Sequence, residues 1–217
     1  MQHLVRVVGP IATNVHLLAD ERSGEAIAID TAIPSVKWVA GELAERGWTL
    51  KLIVTTHGHW DHMGDNAALA EHLGAPIAVH PLDRYRLTDP QPQNAPFPIP
   101  PCVPAVELAE GGEIRFGSIR LTVWHTPGHT EGSVCLYATD EGLLFSGDTL
   151  FAGGWGRVDL PGGDTEAMVA SIGRLTGLED RVRVYPGHGQ STTIARERAW
   201  MELVRDGGRL LVQARPG

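Results

Sequence analysis

The stretch Thr55-Thr56-His57-Gly58-His59-Trp60-Asp61-His62, TTHGHWDH, puts three histidines and an aspartate into six consecutive positions. On an α-helix, residues two apart point about 200° from each other, so His57 and His59 would face opposite ways. A helical zinc site spaces its histidines four apart instead. The spacing suits an irregular loop just past a strand end, where turns gather near neighbours and Gly58 permits unusual dihedrals. The flanks agree. KLIVTT reads as a buried strand, and DNAALAEHLG as a helix closed by Gly74.

Three more segments repeat the layout. WHTPGHTEGS puts His129 after a strand and a Pro-Gly turn, LLFSGDTLF puts Asp148 after a strand and a glycine, and VYPGHGQS puts His188 after a strand and a Pro-Gly turn. Open α/β sheets build their sites at such strand ends. Convergence of the four loops would gather His57, His59, Asp61, His62, His129, Asp148 and His188. These nitrogen and oxygen donors exceed the ligand set of one tetrahedral zinc and suit two ions sharing a bridging group. The isolated histidines, His3, His16, His72 and His80, read as ordinary polar or partly buried side chains. His125, on the strand before His129, reads as packing or as support for a ligand.

Outward from the loops, the first half alternates strand and helix, which points to an α/β fold. NVHLLAD and EAIAID read as strands joined by a Ser23-Gly24 turn. SVKWVAGELAERG reads as a helix with Ser35 as cap and Gly47 as stop, and PIAVH as a short strand. Residues 90–104 hold seven prolines, which forbids a regular helix or central strand. They form either a stiff connector or a wall of the site. The second half reads as two hairpins, turning at Gly117-Ser118 and at Asp140 to Gly142. A helix follows, capped by Asp164 or Thr165 and stopped at Gly177, then the strand RVRVYP and a last helix, TTIARERAWMELVRDGG. The two halves hint at a duplication. Residues 208–217 read as a frayed tail or a segment docked on a partner.

The 217 residues suit one domain, 1–217, and 42% hydrophobic content supports a packed core. A formal charge of −8 argues against nucleic acid or an anionic membrane as partner. The arginines of the last third (Arg174, Arg181, Arg183, Arg196, Arg198) alternate with acids and read as solvated faces. Two cysteines, Cys102 and Cys135, make no disulfide framework, so a cytoplasmic setting is expected. No apolar run reaches the roughly 18 residues of a membrane span, and no signal-peptide core is visible.

HxHxDH, PGHTEGS, SGDTLF and PGHG occur in the order found in the metallo-β-lactamase superfamily, over nearly the whole chain, and the sequence resembles that family. LFAGGWGRVDLPGGD and PGHGQSTTIARER most resemble its glyoxalase II-like hydrolases, particularly the short bacterial kind. The resemblance implies an α/β fold, a four-layer αββα sandwich with the metal site at one edge of the two sheets. By position it implies that His57, His59 and His129 hold one divalent ion, Asp61, His62 and His188 a second, and that Asp148 bridges them. Zinc is the leading expectation, with iron or manganese used elsewhere in the family. The implied reaction is hydrolysis of a small-molecule acyl thioester or ester by a metal-bridging hydroxide, with Asp61 orienting the nucleophile. Arg157, in GWGRVD, would take a substrate carboxylate or pair with Asp159; Trp155 would wall the pocket. A monomer or homodimer is expected.

The departures bear on the carrier thiol. Full-length glyoxalase II proteins add a basic C-terminal helical region for glutathione and read CGHEY at the last metal loop, where this chain reads PGHG. Three rivals stand beside the hydrolase. Persulfide dioxygenases share HxHxDH and a GRxD stretch and use one iron, which would fall on His57, His129 and Asp148. A lactonase or β-lactamase is the second, although β-lactamases usually lack the His62 position. A non-catalytic metal-binding scaffold is the third.

Overall fold

The computed structural model describes residues 1–90 and 95–208. Strands β1 (Gln2–Val8), β2 (Thr13–Asp20) and β3 (Glu25–Ile29) form an antiparallel meander. Helix α1 (Val36–Arg46) crosses to β4 (Thr49–Val54), which pairs parallel to β3. Helices α2 (Trp60–Met63) and α3 (Asn66–Leu73) lead to β5 (Ile77–Val79); a 3-10 turn (Pro81–Asp83) and α4 (Arg84–Thr88) follow. The short β6 (Val106–Glu107) completes a six-stranded sheet in chain order. Strands β7 (Glu113–Phe116), β8 (Ile119–His125), β9 (Val134–Ala138) and β10 (Leu143–Gly147) form a second meander. Helix α5 (Thr165–Leu175) crosses to β11 (Arg183–Pro186), parallel to β10; β12 (Thr192–Thr193) and α6 (Ile194–Arg205) end the fold. The second sheet also has six strands, in the order β12-β11-β10-β9-β8-β7.

Three apolar layers make this the expected four-layer sandwich. α1 and α3 cover one sheet through Val39, Leu43 and Leu69. The two sheets meet through Leu18, Ile27 and Ile29 on one side and Phe116, Leu121 and Leu136 on the other. α5 and α6 cover the second sheet through Met168, Ile172 and Met201. In β3, Ala26 and Ala28 face the helices while Ile27 and Ile29 face the other sheet, the two-residue period of a strand. The alternation in NVHLLAD therefore sorts residues between two cores, and Thr13–Asp20 is buried throughout.

Most helix signals lie where expected. Gly47 and Gly74 end α1 and α3 in the left-handed conformation, at φ 69° and 70°. Asp164 caps α5, accepting from Ala167 N at 2.9 Å. Three readings need correction. Ser35 occupies the N-cap of α1 without capping through its side chain; Asp65 Oδ2 instead accepts from Ser35 N, from Ser35 Oγ at 3.1 Å and from Val36 N at 3.1 Å. Helix α5 stops at Leu175, before Gly177. TTHGHWDH is irregular only through His59, because Trp60–Met63 forms a helical turn.

Of the proline-rich stretch and the tail, residues 91–94 and 209–217 lie outside the described residues. From Ala95 to Ala105 the chain forms neither helix nor strand, and Ile99 and Cys102 pack into the first core layer. Phe97 meets Trp60 edge-on at 5.7 Å, so the connector also touches the aromatic residue inside the metal motif. Both cysteines are buried and unpaired. Arg174, Arg181 and Arg198 pair with Glu110, Glu179 and Asp180, as solvated faces should. Among the described residues, no helix is long and apolar enough to cross a membrane.

Candidate metal centre

Four chain segments reach one edge of the sandwich. β4 ends three residues before His57, α2 carries Asp61 and His62, β10 ends at the residue before Asp148, and β11 ends two residues before His188. His129 sits on the loop between β8 and β9. The seven side chains meet. Donor atoms of His57, His59 and His129 lie within 4.8 Å of one another, as do those of Asp61, His62 and His188, and those of His57, His62 and Asp148. His59 Nδ1 is 2.8 Å from His129 Nε2, and His62 Nε2 is 3.1 Å from both His188 Nε2 and Asp61 Oδ2. Asp148 stands between the two histidine sets: Oδ1 lies 3.4 Å from His62 Nε2, while Oδ2 lies 3.5 Å from His129 Nε2 and 3.6 Å from His188 Nε2.

In four of the five rings the second nitrogen is held from behind, which fixes where the first one points. His57 Nδ1 meets Thr56 Oγ1 at 3.1 Å. His62 Nδ1 meets Asp30 Oδ2 at 3.0 Å. His129 Nδ1 bonds the Arg157 carbonyl at 2.7 Å, and His188 Nδ1 the Ile11 carbonyl at 3.0 Å. His59 differs in that its Nδ1 is the atom turned toward His129.

Glycines let the loops approach this closely. A Cβ on Gly187 would lie 2.3 Å from Asp148 Oδ1 and 2.6 Å from His62 Cε1. On Gly156 it would lie 2.1 Å from the Asp148 carbonyl oxygen. Burial and the neighbouring imidazoles hold His57 well below its usual pKa; burial and His129 do the same for His59. Both shifts favour the neutral ring, the form with a lone pair to donate. Burial opposes protonation of His62, yet Asp61, Asp148 and Asp30 outweigh it and raise that pKa well above its usual value. Burial opposes ionisation of Asp61, but His62 and His188 outweigh it and keep the carboxylate charged.

The sequence profile described as the metallo-beta-lactamase superfamily matches residues 8–188. The chain belongs to this superfamily. Among its relatives, an uncharacterized protein of Aquifex aeolicus (strain VF5) is 42% identical over 197 residues, covering 89% of this chain and 92% of that protein. A hydroxyacylglutathione hydrolase of Maricaulis maris (strain MCS10) is 35% identical over 180 residues, covering 83% of this chain and 63% of that enzyme. The BLEG-1 B3 metallo-beta-lactamase superposes with a TM-score of 0.84 at 33% identity, over 91% of this chain and 97% of that one. TTHA1623, solved in a di-iron-bound form, gives 0.75 at 34% identity, over 89% and 96%. ETHE1 from Myxococcus xanthus gives 0.78 at 27%, over 95% and 85%.

The superfamily implies metal ions, and this chain's residues fit them. His57 Nε2 and Asp148 Oδ1 are buried without a hydrogen-bond partner, an arrangement that costs about 1–3 kcal/mol per atom unless a cation supplies the partner. Ligands about 2.0–2.1 Å from a tetrahedral zinc stand roughly 3.3 Å apart. The separations here, 2.8 to 3.6 Å, bracket that value.

Two more residues were singled out in GWGRVD, Arg157 with pairing to Asp159 as one of its two readings, and Trp155. Arg157 forms a two-pronged ion pair with Asp159, at 2.7 and 2.8 Å, and reaches the centre only through its backbone carbonyl. Trp155 packs into the third core layer and against Trp200, with ring centroids 5.9 Å apart. Sequence reasoning missed Asp30, which sits at φ 57° directly after β3 and accepts from Thr56 N and Thr56 Oγ1, each at 2.8 Å. It is a carboxylate at a strand end, like Asp148, and that signal could have found it. Asn14 was also missed; its Nδ2 donates to the Pro186 and Gly189 carbonyls at 2.9 Å and brackets the His188 loop. His3 and His16 bond each other at 3.0 Å away from the ligands, and His125 stacks on His80 at 4.0 Å.

Proposed function

We propose that this chain is a binuclear metallohydrolase that cleaves a small acyl thioester or ester, in the manner of glyoxalase II. The observation that carries the reading is the position of Asp148, whose carboxylate lies within 3.6 Å of ring nitrogens from both histidine sets, His129 of one and His62 and His188 of the other. The 35% identity to a hydroxyacylglutathione hydrolase supports the substrate class. His57, His59 and His129 would hold one ion and Asp61, His62 and His188 the other, with Asp148 shared. Such ions supply Lewis acidity and lower the pKa of coordinated water to about 7. Zinc is the first choice; the di-iron form of TTHA1623 makes iron the second, and manganese remains a third.

The chain's own groups do the rest. Asp61, ionised and within 3.1 Å of the His188 and His62 rings, orients the attacking water. Thr13 Oγ1 donates to Asp61 Oδ2 at 3.4 Å and restrains that carboxylate. A thioester suits a site of this kind because a thiol of pKa near 8.5 departs as thiolate without strong acid help. A cytoplasmic monomer or homodimer acting on a small molecule completes the proposal.

The GRVD stretch favours a second reading, a mononuclear-iron persulfide dioxygenase using His57, His129 and Asp148. The complete second set of Asp61, His62 and His188 weighs against it. Metal quantification on the native protein, combined with thioester, lactone and β-lactam substrates, tests both. Two metals per chain and hydrolysis of S-lactoylglutathione are expected. One iron per chain with oxygen uptake on glutathione persulfide would end the hydrolase reading.

A further inference from the structure

The 3-10 turn and α4 follow β5 toward the same edge, and Asp83, at the end of that turn, is fully buried. Its Oδ2 accepts from Gly58 N at 2.6 Å and from Thr130 Oγ1 at 2.7 Å. Its Oδ1 accepts from Gly132 N at 2.8 Å. These donors belong to two loops that are remote in sequence. Gly58 lies between His57 and His59, and Thr130 directly follows His129. His59 and His129 are 70 residues apart, yet their ring nitrogens stand 2.8 Å from each other.

The packing agrees with the hydrogen bonds. A Cβ on Gly58 would lie 2.6 Å from Arg86 Cβ, and one on Gly132 would lie 2.7 Å from Asp83 Cγ, so the turn and α4 press on both loops without a gap. Arg86 extends the clamp, donating from Nη2 to Glu131 Oε2 at 2.8 Å and to the Pro161 carbonyl at 2.7 Å. A carboxylate suits the post because it only accepts and offers about four lone-pair sites, enough for donors from two loops. Hydrogen bonds to a charged acceptor are also about twice as strong as neutral ones.

We propose that Asp83 is a positioning residue for the three-histidine half of the metal centre, an inference that rests on the metal reading above. Its carboxylate holds the His59 loop and the His129 loop at the separation one ion requires. Asparagine at this position would turn an amide N–H₂ toward groups that are themselves donors, so Asp83→Asn breaks the clamp at nearly constant volume.

The test is chelator competition on holo protein with metal counted per chain, for wild type, Asp83→Asn and Thr130→Val. Asp83→Asn should lose one ion at a chelator level about 10- to 100-fold lower than wild type, with the other ion retained at wild-type affinity. Thr130→Val removes a single donor and should shift the same ion in the same direction by less. His188→Ala, which damages only the other half, isolates the three-histidine half. Cobalt(II) loaded into that variant should change its visible spectrum when Asp83→Asn is added. Unchanged affinity in both Asp83→Asn and Thr130→Val overturns the proposal, as does equal weakening of both ions. If Asp83→Asn does not fold, Thr130→Val decides alone: unchanged affinity there overturns it. Wild-type protein that binds no metal would instead overturn the metal reading, a separate and recognisable result.

Discussion

Asp30→Asn probes how the centre is held from behind. Asp30 is 1% exposed and its carboxylate takes three donors: Thr56 N, Thr56 Oγ1 and His62 Nδ1. Asparagine keeps the shape and tolerates the left-handed backbone at φ 57°, so the change isolates the second acceptor oxygen and the charge. With the amide oxygen toward Thr56 N, the N–H₂ faces His62; turned the other way, Thr56 N loses its acceptor. One or two buried donors are stranded in either case, at about 1–3 kcal/mol each. The lost charge also removes one of the carboxylates that make His62 basic. Urea unfolding of the chelated variant should therefore show a loss of about 1–3 kcal/mol or more. Chelator competition should show the ion of the Asp61, His62 and His188 set weakened about 10- to 100-fold, and the three-histidine ion weakened by less, because Asp30 reaches His57 only through Thr56. A variant within about 0.5 kcal/mol of wild type, the range of an ordinary surface change, and with both ions held normally would refute the argument.

Gly187→Ala should drop kcat by about a hundredfold, the scale of an ångström-sized misplacement, because its Cβ would overlap Asp148 and His62. Steady-state kinetics beside an unchanged far-UV spectrum would check this. Arg157→Ala should cost under about 1 kcal/mol, the worth of an exposed ion pair, and leave metal content unchanged, since the bond to His129 comes from the backbone. Thermal melts and elemental analysis read both. Acid sensitivity should come partly from His3 and His16, whose pKa values are lowered to about 4 and about 3, in each case first by burial. An unfolded histidine binds its proton near 6.5, so from there down to about 4 and 3 the unfolded chain holds more protons and stability falls with pH. Urea midpoints of the chelated protein across that range should fall less steeply in His16→Gln than in wild type; parallel slopes would count against the assignment.

The two clamps divide the centre. Asp30 supports the half containing His62, and Asp83 reaches the loops that carry His59 and His129. Paired chelator titrations of the two variants should thus lose different ions first.

The sequence by itself named the candidate ligands and pointed to the layers. Histidine and aspartate after a strand and a glycine turn are unmistakable four times over, because the donor atoms lie in the side chains that the sequence spells. Strand periods and the glycines at Gly47 and Gly74 were equally local, so the two hairpins of the second half and most of the helices were readable. Only the tertiary structure decided what stands behind the ligands. Asp30 meets His62 across 32 positions and Asp83 meets Thr130 across 47, and no local pattern says which donors a carboxylate will find at such range. Arg157 shows the same limit from the other side. Its guanidinium pairs with Asp159, as one reading of the sequence had it, but the bond to His129 comes from its carbonyl, a group every residue carries and only packing can select.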